Sequence, residues 1–178
     1  MRYHKILAVC LDCGDTLVDE ATEIKDETDT SLSAKLIPGA AEMLHALKQR
    51  GYKLALVADG PAATFRNNLG PYDLYDLFDA YAISEEIGVR KPDARMFRHA
   101  LDQLHIGEDE YGRVVMVGNH LARDIKGANA LGITSVWLDW SPRRPKVPAD
   151  ESEIPRYTIN TPMGLLPLLK ALEEVEYT

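Results

Sequence analysis

Several things are scarce in this chain, and each scarcity closes off a class of protein. Its 178 residues hold two cysteines, Cys10 and Cys13, too few for a disulfide scaffold. No apolar run approaches the ~20 residues that a bilayer span needs. The basic start, residues 1–5, is followed by six apolar residues before Asp12 interrupts them; a secretory leader carries a longer apolar stretch closed by small residues. No basic block occurs either. The 20 Lys and Arg stand against 28 Asp and Glu, a formal net charge of −8, which argues against nucleic acid as an electrostatic partner. Repeats and low-complexity segments are missing as well. What remains, 46% hydrophobic and 27% charged residues, is ordinary globular composition at a length that suits one domain over residues 1–178. Cys10 and Cys13 have the C-x-x-C spacing, but they close a strand-like run and no second pair follows, so neither a redox nor a zinc role is expected. Two cysteines without an export signal fit a reducing cytoplasm.

Short apolar runs alternate with helix-period segments. Residues 6–11, 54–58, 80–84, 114–118 and 133–138 read as strands buried on both faces. Ala40, Met43, Leu44 and Leu47 recur at helical spacing, with Pro38 near the start and Gly51 just past the end. Helical patterns also cover 64–69, 72–78 and 124–131, and Met96, Phe97, Ala100, Leu101 and Leu104 stripe another helix. A proline-rich stretch after Trp140 reads as a surface loop, with Arg143, Arg144 and Lys146 as ordinary surface charge. Residues 156–159 then suggest an edge strand, and Leu165, Leu168, Leu169 and Leu172 a terminal helix that tolerates Pro167 only in its first turn. Strands separated by helices predict an α/β fold: a Rossmann-like, three-layer α/β/α arrangement around a central parallel sheet.

In such sheets ligands bind beyond the carboxyl ends of the strands. The first strand ends in Asp12 to Thr16, the second in Asp59 and Gly60, the third leads to Lys91 and Pro92, and the fourth ends in Gly118, Asn119, His120 and, further on, Asp124. Carboxylates with carbonyls and amides suit a hard cation such as Mg²⁺. A lysine and free backbone N–H groups suit an oxyanion.

These residues carry a resemblance. Residues 12–17 read D-C-G-D-T-L, close to the D-x-D-G-T-L first motif of the haloacid dehalogenase-like (HAD) hydrolases. Residues 83–93, I-S-E-E-I-G-V-R-K-P-D, resemble that family's lysine motif. Residues 117–119, V-G-N, with Asp124 after four intervening residues and Gly127, Ala128, Leu131 and Gly132 behind, resemble its acidic fourth motif. The resemblance implies that Asp12 attacks phosphorus as a nucleophile and that Lys91 stabilises the transferring group. It implies Mg²⁺ held by Asp12, the Gly14 carbonyl, Asn119 and Asp124, and a phosphoryl group received at Asp59, Gly60 and Lys91, with Asp59 offering its backbone N–H. Three positions depart from the pattern. Gly14 stands where a catalytic Asp is usual, with Asp15 one place later as the candidate acid and base. Ala58 replaces a hydroxyl side chain, and Asn119 replaces an Asp.

The intervals from Thr16 to Pro38 and from Lys91 to Gly118 are too short for a cap domain once the helix in the second is counted, so an open mouth is expected, which another subunit could close as a homo-oligomer. Asp19 to Asp29 carry six acidic residues and one Lys; a flap of this charge beside the mouth repels polyanions. The reading is a Mg²⁺-dependent phosphohydrolase for a small phosphorylated metabolite, with acyl or aryl phosphates favoured because their leaving groups need little protonation. The alternatives are a binding or regulatory protein on the same fold, in which Gly14, Ala58 and Asn119 mark lost turnover, and a dehalogenase using the same Asp12.

Overall fold

The computed structural model describes residues 5–174; the basic start, apart from Lys5, lies outside them. A six-stranded, all-parallel sheet runs in the order β5-β4-β1-β6-β7-β8. Its strands are β1 (Ala8–Leu11), β4 (Lys53–Ala58), β5 (Ala80–Ile83), β6 (Val114–Gly118), β7 (Thr134–Leu138) and β8 (Tyr157–Ile159). A separate antiparallel hairpin joins β2 (Val18–Lys25) to β3 (Ser31–Leu36). The helices are α1 (Ala40–Gln49), α2 (Ala62–Leu69), the single turn α3 (Ser84–Ile87), α4 (Ala94–Gln103), α5 (Lys126–Ala130) and α6 (Leu165–Glu174).

The sheet is sandwiched because each central strand is apolar on both faces. In β1, Ala8 and Cys10 face Met96, Phe97, Ala100 and Leu101 of α4. Val9 and Leu11 face the other way, toward Met43, Leu44 and Leu47 of α1 and Leu165 and Leu169 of α6. Each of the large side chains contributes roughly 1.5–3 kcal/mol by leaving water. The chain winds outward from β1 to β4 and β5 on one side, then to β6, β7 and β8 on the other. The crevice beside the carboxyl end of β1 is therefore the switch point where such folds bind ligands.

The acidic flap beside the mouth is the β2–β3 hairpin, tied to α2 by Ser31 N–H to Thr64 Oγ1 (3.0 Å), Ser31 Oγ to Asn68 Oδ1 (2.7 Å) and Asn68 Nδ2 to Glu23 Oε1 (3.0 Å). Three local readings are corrected. Residues 72–78 form short 3-10 turns rather than a helix. The helix expected from 124 begins earlier, as a π turn over Leu121–Ile125 that runs into α5. The first strand is shorter than the run of apolar residues. Among the described residues, the interval after β1 holds only the hairpin and that after β5 only α3, α4 and a 3-10 turn, with no cap inserted.

Candidate active site

Asp12 is the residue that follows β1, and its backbone N–H donates to Val117 O (3.0 Å), so β6 fixes its place. Its Oδ1 accepts a hydrogen bond from Lys91 Nζ (2.9 Å) and its Oδ2 one from Asn119 Nδ2 (3.0 Å). Lys91 is buried with all three donors used: Asp12 Oδ1, Val57 O (2.7 Å) and Asp124 Oδ1 (2.7 Å). Asp124, fully buried, spends its other oxygen on His120 N–H (3.0 Å). Gly118 makes room for it, since a Cβ there would fall 2.3 Å from the Asp124 carboxyl carbon. Asp59 Oδ1 accepts the Lys91 backbone N–H (3.0 Å) and so anchors the lysine's own loop.

The electrostatics follow from this burial. Desolvation, then the neighbouring Asp124 charge, push the Asp12 carboxyl above the ordinary range, against the pull of Lys91. Burial alone would lower Lys91, but Asp12, Asp124 and Asp59 outweigh it and hold the ammonium above the usual lysine value. One cation thus faces two carboxylates, Asp12 partly buried and Asp124 fully buried, and a cleft of about 180 Å³ opens over Asp12, Asn119, Glu20, Asp59 and Arg144.

Of the residues expected at the site, Asp12, Gly14, Asp59, Gly60, Lys91, Asn119 and Asp124 all line this cleft. Gly60, however, gives its backbone N–H to Ser84 Oγ (2.8 Å), so that donor is not turned toward a ligand. Asp59 lies in the cleft wall with its carboxylate engaged by the Lys91 loop. Asp15 is not part of the lining. It is fully buried at φ +53°, in the left-handed turn after β1, and its carboxylate accepts Glu20 N–H (3.1 Å) and Arg143 Nη2 (2.7 Å). Its structural role is to tie that turn to the proline-rich loop. His120 lines the cleft, and burial, then Arg123 and Arg144, lower its pKa.

Two groups of residues were missed by sequence reasoning. The first is Glu20, on β2. A Cβ built on Gly14 would meet Glu20 Oε1 at 2.0 Å, so the Glu20 carboxyl fills the space that a side chain at position 14 would need. Its hydrogen bonds go to Oε2, from Arg144 Nη2 and Arg143 Nη2. Burial raises its pKa, partly offset by Arg144 and assisted by the Asp15 and Asp12 charges. The second is the loop after β7, read as ordinary surface charge. Arg143 binds Asp15; Arg144 binds Glu20 and donates from Nε to Asn119 Oδ1 (3.1 Å); Lys146 pairs with Asp139 and lies over the Trp137 ring. A loop with two adjacent arginines at the same sheet edge as two surplus carboxylates was the available signal.

Among the described residues no three His, Cys, Asp or Glu side chains converge as metal ligands. A cation here relies on other oxygens. Asn119 Nδ2 sits within hydrogen-bond reach of Asp12 Oδ2, Gly14 O (2.6 Å) and Thr16 Oγ1 (3.1 Å), three acceptors converging on one place that receives positive charge. With the carboxamide turned end for end, Asn119 Oδ1 would join Asp12 Oδ2 and Gly14 O in the all-oxygen, single-carboxylate set that Mg²⁺ accepts with water and phosphate. The residues fit that ion. Asp124 has both oxygens spent on Lys91 and His120, and so serves the lysine.

Comparison with known proteins identifies the family. The model of the haloacid dehalogenase-like hydrolase family matches residues 12–138. A glyceraldehyde 3-phosphate phosphatase of Methanopyrus kandleri is 31% identical over 138 residues, 78% of this chain and 58% of that relative. A phosphoserine phosphatase of Thermus thermophilus is 36% identical over 104 residues, 58% of this chain and 41% of that relative. The chain spans about half the length of the curated relatives it matches. In fold it is similar to a HAD phosphatase from Thermococcus onnurineus, with a TM-score of 0.75 at 20% identity over 92% of this chain and 98% of that one. No helix among the described residues is long and apolar enough to cross a membrane. With its motifs gathered on one rim and the family's model matching from Asp12, just after β1, to the end of β7, the chain belongs to the haloacid dehalogenase-like hydrolases.

Proposed function

We propose that this protein hydrolyses small phosphate monoesters through an aspartyl-phosphate at Asp12, assisted by Mg²⁺. The observation that carries the reading is the Asp12 carboxylate at the switch point, held between Lys91 Nζ on one oxygen and Asn119 on the other. The relatives' names, phosphatases of small phosphorylated compounds, support the substrate class. The acidic hairpin supports a neutral or cationic remainder on the phosphate.

Asp12, Gly14 O and Asn119 would hold Mg²⁺, which supplies charge neutralisation between the carboxylate and the incoming phosphate. Asp12 attacks phosphorus and the bond to the leaving oxygen breaks. Lys91 stabilises the charge on the phosphoryl oxygens through its own positive charge, its three N–H groups being held by Asp12, Val57 O and Asp124. In this reading Glu20 Oε1, not Asp15, delivers the proton to the leaving oxygen, because Glu20 fills the space of the missing side chain at 14 whereas Asp15 is tied to Arg143. A water then gives a proton to Glu20 and attacks phosphorus, releasing inorganic phosphate and regenerating Asp12. Ala58 offers no hydroxyl to the phosphoryl group, one donor fewer and roughly 10²–10³ in rate.

The test is Mg²⁺-dependent phosphate release from p-nitrophenyl phosphate. Release that disappears in Asp12→Asn supports the reading; its absence in the wild type refutes it. The Asn119 hydrogen bond to Asp12 favours one other reading, a binding protein without turnover. Tight binding of beryllium fluoride with no phosphate release would select that one. Cys10 and Cys13, buried free thiols, support a cytoplasmic location. Closure of the open cleft by a second copy of the chain is part of the same proposal.

A further inference from the structure

Beside the nucleophile stands a side chain whose two ends are both specified. Asn119 Nδ2 donates toward Asp12 Oδ2 and Gly14 O, while Asn119 Oδ1 accepts from Arg144 Nε (3.1 Å). A guanidinium nitrogen is only a donor, so whatever faces it must be an acceptor. The Asn119 backbone is held too, its carbonyl accepting Trp137 Nε1 (3.1 Å). The side chain must therefore turn in place if it is to change what it offers Asp12.

We propose that Arg144 is a positioning residue that sets the orientation of the Asn119 carboxamide, so that the grip of Arg144 on Asn119 and the binding of a divalent cation exclude each other. Turning Oδ1 toward Asp12 and Gly14 would leave the Asn119 NH₂ facing Arg144 Nε–H, donor against donor. Arg144 then has to withdraw. Its side chain is 27% exposed, and so has solvent to swing into. The same guanidinium holds Glu20 Oε2, so withdrawal also removes the shorter of that carboxyl's two arginine contacts and leaves it to Arg143 Nη2 at 3.4 Å. The proline-rich loop becomes a latch: closed, it places an amide nitrogen against the nucleophile; open, it admits the cation and loosens Glu20.

This inference rests on the cation-assisted reading and is tested separately from it. Mg²⁺ is titrated calorimetrically into the wild type, Arg144→Ala and Arg143→Ala. Both variants remove one positive charge near the cleft, but only Arg144 touches Asn119. The latch predicts that Arg144→Ala binds Mg²⁺ about tenfold tighter than the wild type, the worth of one charge-assisted hydrogen bond, with a clearly smaller gain in Arg143→Ala. It also predicts that Mg²⁺ speeds amide hydrogen exchange across residues 141–147 of the wild type and not of Arg144→Ala. Equal gains in the two variants, or unchanged exchange in the loop, overturn the latch while leaving the phosphatase intact. Phosphate release that persists in EDTA, with no Mg²⁺ binding by any of the three proteins, overturns the cation reading and the latch with it.

Discussion

Replacing Glu20 by Gln removes an ionisable proton while keeping the shape of the side chain and an oxygen for Arg144. The backbone N–H of residue 20 still reaches Asp15, so the turn after β1 keeps its tie. If Glu20 protonates the leaving oxygen, the loss should scale with how much that oxygen needs a proton. For an alkyl phosphate the full general-acid contribution is at stake, about 10²–10⁴ in kcat/KM, or roughly 3–5 kcal/mol of barrier. For p-nitrophenyl phosphate the departing oxygen is stable as an anion, and the first step should slow by less than about tenfold. The assay is kcat/KM across a series of esters graded by leaving-group basicity, which should steepen in Glu20→Gln. A second pair of variants uses the 2.0 Å approach directly. Gly14→Asp alone drives a side chain into Glu20; Gly14→Asp with Glu20→Ala moves the carboxyl back to position 14 and should recover alkyl-phosphate turnover. Equal losses for every ester in Glu20→Gln, or none, would refute the assignment.

Three further outcomes follow from the same geometry. Lys91→Met leaves the partly buried Asp12 and the buried Asp124 carboxylates facing each other without their cation; urea unfolding should show a loss of about 3–5 kcal/mol, and a loss under about 1 kcal/mol would contradict the buried pairing of Lys91 with Asp124. Asp93, which caps α4, has its carboxyl held down to about 2 by Arg95 hydrogen bonds. A folded-state pKa below the unfolded one adds stability above about pH 4 that is lost as pH falls through the folded value. Asp93→Ala should therefore lower Tm at pH 7, with the difference shrinking toward pH 2; a constant difference would contradict the assignment. Burial pushes the Cys10 thiol up to about 12 and raises Cys13 well above its ordinary value, first by desolvation. Neither should react with a disulfide reagent at pH 8 until the protein is unfolded, and rapid native-state labelling would reopen a redox role for the C-x-x-C spacing.

Much of the fold was legible because the central strands are short runs of apolar residues and their separating helices are amphipathic, so periodicity alone placed Asp12, Lys91 and Asp124 on one rim. The hairpin was not legible. Its β2 strand, rich in Asp and Glu, shows no apolar alternation, and polar bonds from Ser31, Thr64 and Asn68 hold it together with a small apolar contact through Val18 and Ala34. The replacement of the residue-14 side chain by Glu20 depends on where that hairpin folds back, which no local pattern encodes. The arginine loop was misread for a related reason. Arg143 and Asp15 lie 128 positions apart and Arg144 and Glu20 lie 124 apart, and long-range pairing leaves no trace in composition. Asp15 looked like an acid because of its neighbours in sequence; its positive φ turns it away from the cleft.

The most direct measurement is chemical trapping of the nucleophile. Rapid acid quench of the enzyme turning over a ³²P-labelled aryl phosphate, followed by peptide mapping, should place the label on Asp12 and show none in Asp12→Asn. Label on another side chain, or steady phosphate release with no labelled protein at any quench time, would contradict the aspartyl-phosphate on which the account stands.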